Sequence, residues 1–199
     1  MNKRRFIATV AIATLMACNT PANKKVLIMG RGSIAINGND INMKSGSGYT
    51  EETVEISGEE PVTWNVTTPS GKTNIEIPRE KGFYILSLRN DTIVGSQQII
   101  GKDISSSRMI TQEELKRKID SLTKLTAGAN ISSAGHNYII LSDQPKKISD
   151  NANAKVFGPF TQIPGTLEAD KNGKAPEIYK FYTNSEMRDL IANLKKMTY

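Results

Sequence analysis

The chain has 199 residues, with 26 Lys or Arg, 20 Asp or Glu, one His and one Cys. A single cysteine cannot close an intrachain disulfide, and one His with one Cys falls short of the four ligands a structural zinc site takes. The net charge of +6 suggests a nucleic-acid partner only until it is located: Lys3, Arg4 and Arg5 carry half of it, the rest is an ordinary mixed surface, and no nucleic-acid partner is expected.

Those three basic residues open the first predicted element. Phe6 to Met16 is uncharged and mostly apolar. It makes about three helical turns, short of the roughly 20 residues that span a bilayer. It ends in Leu15-Met16-Ala17-Cys18, where Leu15 fits an ordinary signal-peptidase site badly, because that site takes small residues at both its third and first positions. The segment resembles the signal of bacterial lipoproteins, with a lipobox ending at the cysteine. The resemblance implies that residues 1–17 are a signal peptide and that the Cys18 thiol takes a diacylglycerol thioether. The chain is then cut before Cys18, and the new amine can be acylated, with palmitate as the expected acid. The partner so implied is a membrane, reached through the lipid. Each buried CH₂ contributes about 0.8 kcal/mol, and lasting attachment takes two or more chains. Without its signal the chain has 23 basic and 20 acidic residues, a net of +3.

Residues 18–25 read as a lipidated tether. From Val26 to Gly101 short β-branched stretches are broken by turn residues every 8–12 positions or so, the pattern of a sandwich or barrel. Ile34 and Ile36 face Ile41 and Met43 across Asn37-Gly38-Asn39-Asp40, a hairpin signal. Thr53 to Ile56 alternates, as do Val62, Trp64 and Val66, which places Trp64 toward the core. Pro69 to Lys72 is a turn, Ile75 and Ile77 belong to the next strand, Phe83 to Leu88 is a strand, and Arg89-Asn90-Asp91 a turn. Thr92 to Ile100 is the expected closing strand of this sandwich-like domain, 26–101.

Lys102 to Met109, rich in serine, is the expected linker. Thr111 and Glu114 then form a capping box, with Ile110 and Leu115 at staple positions. Leu115, Ile119, Leu122 and Leu125 make one helical stripe, and Gly128 suits the position just past the helix end. Strands are expected at 138–141, 146–149, 155–157 and 178–182, with a hairpin tip at Asp170-Lys171-Asn172-Gly173. Thr183 and Glu186 form a second capping box ahead of the stripe Met187, Leu190, Ile191, Leu194 and Met197. Residues 110–199 thus read as a small α+β domain with two helices, and the whole chain as α+β and β-rich.

Motifs for chemistry are sparse. Gly30-Arg31-Gly32 precedes strand rather than helix, so it is neither a Rossmann fingerprint nor a P-loop. Asn37, Asn39, Asp40 and Asp150, Asn151, Asn153 are oxygen-rich, as calcium requires, but lack EF-hand spacing. No metal or other cofactor is expected. Hydrolysis or transfer needs a positioned base. The candidates in the polar loops are His136, Asp143, Asp150 and Glu177.

Gly82-Phe83-Tyr84-Ile85-Leu86-Ser87-Leu88, Asp91-Thr92-Ile93-Val94-Gly95-Ser96, Gly158-Pro159-Phe160 and Tyr179-Lys180-Phe181-Tyr182-Thr183 are similar to stretches of uncharacterised lipoproteins of the Bacteroidota. Surface-displayed members of that group resemble one another in an acidic cluster after the cysteine, which Asn19-Thr20-Pro21-Ala22-Asn23 lacks. The resemblance therefore implies an outer-membrane anchor with the domain facing the periplasm. The expected function is a non-enzymatic binding or assembly module with a protein or glycan partner. One alternative is an enzyme or enzyme accessory domain with a site built from loops in 129–177. Another is a surface-glycan-binding module, which requires exposed aromatics at Trp64 and Tyr49.

Overall fold

The apolar run Val26-Leu27-Ile28-Met29 becomes the first half of β1 (Lys24–Asn37), and it is buried on both faces. A strand enclosed on both sides reads as a continuous apolar run rather than an alternation. The structure is a computed structural model that describes residues 23–98, 111–129, 131, 136–165, 167 and 175–197. The signal segment, Cys18, the linker 102–109 and the hairpin tip expected at 170–173 lie outside the described residues.

Five further strands precede the first helix: β2 (Asp40–Ile56), β3 (Val62–Thr68), β4 (Gly71–Ile77), β5 (Gly82–Ser87) and β6 (Ile93–Gln98). Then follow α1 (Gln112–Thr126), β7 (Asn137–Ile140), β8 (Lys146–Ser149), β9 (Lys155–Phe157), β10 (Ile178–Thr183) and α2 (Asn184–Lys196). The fold is α+β and rich in strand, with one curled sheet and one smaller sheet. The six-stranded sheet runs β4-β3-β2-β1-β5-β8, and the four-stranded sheet β7-β6-β10-β9. β1 pairs antiparallel with β2 and parallel with β5.

Three apolar layers result. Inside the curl, Val26, Ile28, Ile41, Trp64, Val66, Ile75, Ile77, Tyr84 and Leu86 pack together. Trp64 is 2 % exposed, so it is core. On the opposite face of β1 and β5, Leu27, Met29, Phe83 and Ile85 meet Ile93, Tyr138, Ile140, Tyr179 and Phe181 of the smaller sheet. The outer face of that sheet carries Val94, covered by Leu125 of α1 and by Met187 and Ile191 of α2.

This layering corrects the expected closing strand. β6 pairs with β10 and β7 rather than with the first sheet, and β8 from the second half pairs with β5. The apolar faces of β1 and β5 need a cover, and β6, β7 and β10 supply it, so 26–101 does not close on itself as a sandwich. The tether also ends earlier than expected. Lys24 is fully buried within β1, and its ammonium donates to the carbonyls of Glu60 (2.6 Å) and Pro78 (3.3 Å).

Both helix starts form as local chemistry dictates. Thr111 and Thr183 cap α1 and α2, with Glu114 and Glu186 reaching back to the cap backbone. Gly128, at φ +76°, lies just past the end of α1. The stripe on α2 is narrower than its sequence suggests: Met187 and Ile191 are buried, Leu190 is half-buried, and Met197 is 67 % exposed.

One irregularity shapes the surface. The β1–β2 register passes from Arg31↔Tyr49 to Ser33↔Lys44, so residues 45–48 bulge out opposite Gly32. Gly32 has φ +112°, and a Cβ there would lie 1.9 Å from the Lys44 carbonyl oxygen. Gly32→Ala is therefore expected to destabilise the fold by about 1–3 kcal/mol through backbone strain alone. Urea unfolding measures this, and a change under about 0.5 kcal/mol would mean that the bulge relaxes freely.

Candidate functional site

Two clefts open among the described residues. The first lies at the seam between the sheets, has a volume of about 480 Å³, and is lined by His136, Tyr138, Lys147, Ser149, Asp150, Glu177 and Tyr179 among others. Three of the four sequence candidates, His136, Asp150 and Glu177, meet here. Asp143 does not. It occupies the turn between β7 and β8 at φ +57°, with its backbone N–H donating to the Ser87 carbonyl at 2.8 Å.

His136, exposed and at φ +51°, immediately precedes β7, and its carbonyl accepts the N–H of Gln97. Glu177 precedes β10, and its carbonyl accepts the N–H of Lys155 on β9. The Glu177 carboxylate takes two hydroxyl donors: Ser149 on one oxygen at 2.8 Å, and Tyr179 on the other. The Ser149 oxygen in turn accepts the Asn151 N–H at 2.9 Å. Burial and the hydrogen bond to Glu177 push the Tyr179 hydroxyl well above the usual tyrosine range, so it is held as a proton donor. The His136 Nδ1 lies 3.5 Å from the Tyr179 oxygen, the outer limit of a hydrogen bond. Asp150 is exposed and paired with Lys147 at 2.7 Å, and that hydrogen bond holds its carboxyl below the usual range. Nucleophilic catalysis requires the base to touch the nucleophile. Here the imidazole faces Tyr179 rather than Ser149.

The second cleft, about 580 Å³, lies beside the bulge and is lined by Arg31, Ser45, Tyr49, Ser70, Arg89 and Asp91 among others. The Arg89 guanidinium donates to both oxygens of Asp91, one at 2.6 Å. Its carbonyl accepts the Ser142 hydroxyl. Burial disfavours the charge on Arg89, but Asp91 and the Tyr49 hydroxyl outweigh that and raise its pKa. The guanidinium carbon is 4.5 Å from the centre of the Tyr49 ring, and the Phe160 ring stacks on Tyr49 at 4.0 Å.

Phe160 is held by a web of partners. Its N–H donates to Glu186 at 2.7 Å, on the carboxylate that caps α2. Lys180 donates to the Gly158 carbonyl at 2.6 Å, and Thr161 to Glu51 at 3.1 Å. Burial raises the carboxyl pKa of Glu51 and lowers that of the Lys180 ammonium. A Cβ on Gly158 would lie 2.0 Å from a Glu51 oxygen, so any other residue there has to displace the Glu51 carboxylate.

Sequence reasoning missed this second cleft. Arg89-Asn90-Asp91 reads only as a turn, and Gly158-Pro159 marks a bend without showing where the next ring points. Of the two aromatics the glycan reading requires, Trp64 is buried and Tyr49 is 45 % exposed. The missing exposed ring is Phe160, at 51 %.

Among the described residues no group of His, Cys, Asp and Glu is arranged to hold a metal ion, and no helix is long and apolar enough to cross a membrane. None of the family models, curated proteins or solved structures compared with this chain matches it.

Proposed function

We propose that the protein is a membrane-anchored lipoprotein of the bacterial envelope, attached through Cys18 to the outer membrane and facing the periplasm, and that it acts as a non-enzymatic binding or assembly module. The anchor rests on the lipobox. The observation that carries the non-enzymatic reading is that the candidate base Glu177 and the hydroxyls beside it in the seam cleft are engaged with one another. Glu177 holds Ser149 and Tyr179, and Asp150 holds Lys147, so these carboxylates already have their donors and are not poised to take a substrate proton. A second reading, an enzyme or accessory domain, is favoured by one specific observation: His136 and Glu177 border the same cleft.

Complementation of a deletion strain separates the two. The chain with His136→Ala, Asp143→Asn, Asp150→Asn and Glu177→Gln is expected to restore the wild-type phenotype, provided circular dichroism shows it folded. If His136→Ala or Glu177→Gln alone silences a folded, correctly anchored protein, the enzyme reading wins.

A further inference from the structure

We propose that the cleft beside the bulge binds an acidic saccharide, a chain of sugar units bearing uronate-type carboxylates. This deepens the binding-module reading and rests on it. The first argument is strain. Phe160 has φ +64°, a conformation that bulky residues adopt only when their surroundings impose it. Glu186, Lys180, Glu51 and Thr161 impose it from α2, β10, β2 and the loop itself. Core packing does not repay that strain, because Phe160 and Tyr49 remain 51 % and 45 % exposed. What the strain achieves is a rigid aromatic pair presented to solvent, with Tyr49 in the cleft wall and Phe160 stacked on it at the cleft's edge.

The second argument is charge. Asp91 is committed to Arg89, but among the described residues no carboxylate pairs with Arg31. Arg31 is exposed, borders the cleft, and has its guanidinium 5.9 Å from the Tyr49 ring centre. A planar guanidinium takes a carboxylate through two parallel hydrogen bonds. The third argument is the remaining lining. Ser45, Ser70 and Asn90 offer hydroxyl and amide partners for sugar hydroxyls. The electron-rich face of an exposed ring attracts the polarised C–H bonds on the flat side of a sugar. The cleft volume is within the range of small-ligand sites, roughly 300–1,000 Å³.

The test is calorimetric titration of the full-length lipidated chain in detergent micelles. The probes are galacturonate, glucuronate and mannuronate tetrasaccharides, their methyl esters, and a glutamate tetrapeptide. At least one acid is expected to bind, with its ester weaker by about tenfold or more, the worth of a charge-assisted hydrogen bond. Phe160→Ala should weaken acid and ester alike, and Arg31→Gln should abolish the difference between them. Melting by circular dichroism shows that both variants are folded. Absence of binding by every saccharide would overturn the proposal, as would binding that neither variant alters or a glutamate peptide that binds as well as the best saccharide. Such a failure beside successful complementation by the His136, Asp143, Asp150 and Glu177 variant would leave the binding-module reading standing with a different ligand.

Discussion

Phe181→Ala is expected to lower stability by about 3–5 kcal/mol, the usual cost of emptying a core aromatic site, and so to lower the melting temperature by roughly 6–20 °C. Phe181 is fully buried at the contact between the sheets and lies opposite Gly95 on β6. Gly95 has no room for more: a Cβ there would lie 2.4 Å from the Phe181 ring. Tyr138, the partner of Gly95 on β7, brings its ring to 6.5 Å from Phe181 and donates its hydroxyl to the Ile148 carbonyl of the other sheet. Removing the ring therefore loosens a layer that both sheets share. The melt should stay a single transition, because each sheet buries one of its two apolar faces only against the other. Two separate transitions, or a loss below about 1 kcal/mol, would show that the sheets are independently stable.

Cys18→Ala is expected to move the protein from the membrane fraction to the soluble or precursor pool and to abolish acyl labelling. The effect is close to all-or-none, since each acyl CH₂ contributes about 0.8 kcal/mol and the variant has no thiol to receive a lipid. The fold from residue 23 onward should melt as in the wild type. Acyl labelling and membrane recovery that survive the substitution would remove the lipoprotein assignment. Complementation should fail with this variant if position at the membrane is what the binding module needs.

Much of the local structure was legible because its causes are local. The capping boxes Thr111/Glu114 and Thr183/Glu186, the turn at Asn37–Asp40 and the inward side of Trp64 each depend on a few neighbouring residues. Strand partners were not legible. Nothing in Thr92–Ile100 distinguishes a strand that closes the first sheet from one that opens a second. That choice follows from the need to cover Leu27, Met29, Phe83 and Ile85, which only the assembled β1–β5 pair presents. The seam cleft was partly legible: the few candidate bases in the polar loops included His136, Asp150 and Glu177, which meet there, while Asp143 looked the same in sequence and folded elsewhere. The aromatic pair beside the second cleft was legible only in Tyr49. Its key feature is the backbone angle of Phe160, fixed by Glu186, Lys180 and Glu51 from elements distant in sequence.

The entry of the chain into the fold has a mechanical consequence. Lys24 starts the central strand, flanked by both ladders at once: Asn23 donates to the Ile56 carbonyl, and its own carbonyl accepts the Gly82 N–H. Ladder hydrogen bonds run across the strand direction, so a pull along β1, such as the proposed anchor at Cys18 would deliver, loads both rows in shear rather than opening them one rung at a time. The buried Lys24 ammonium, gripped by the Glu60 and Pro78 carbonyls, acts as a stop at the point where that force arrives. If the proposed anchor at Cys18 holds, a domain entered this way resists being unravelled by a load on the tether.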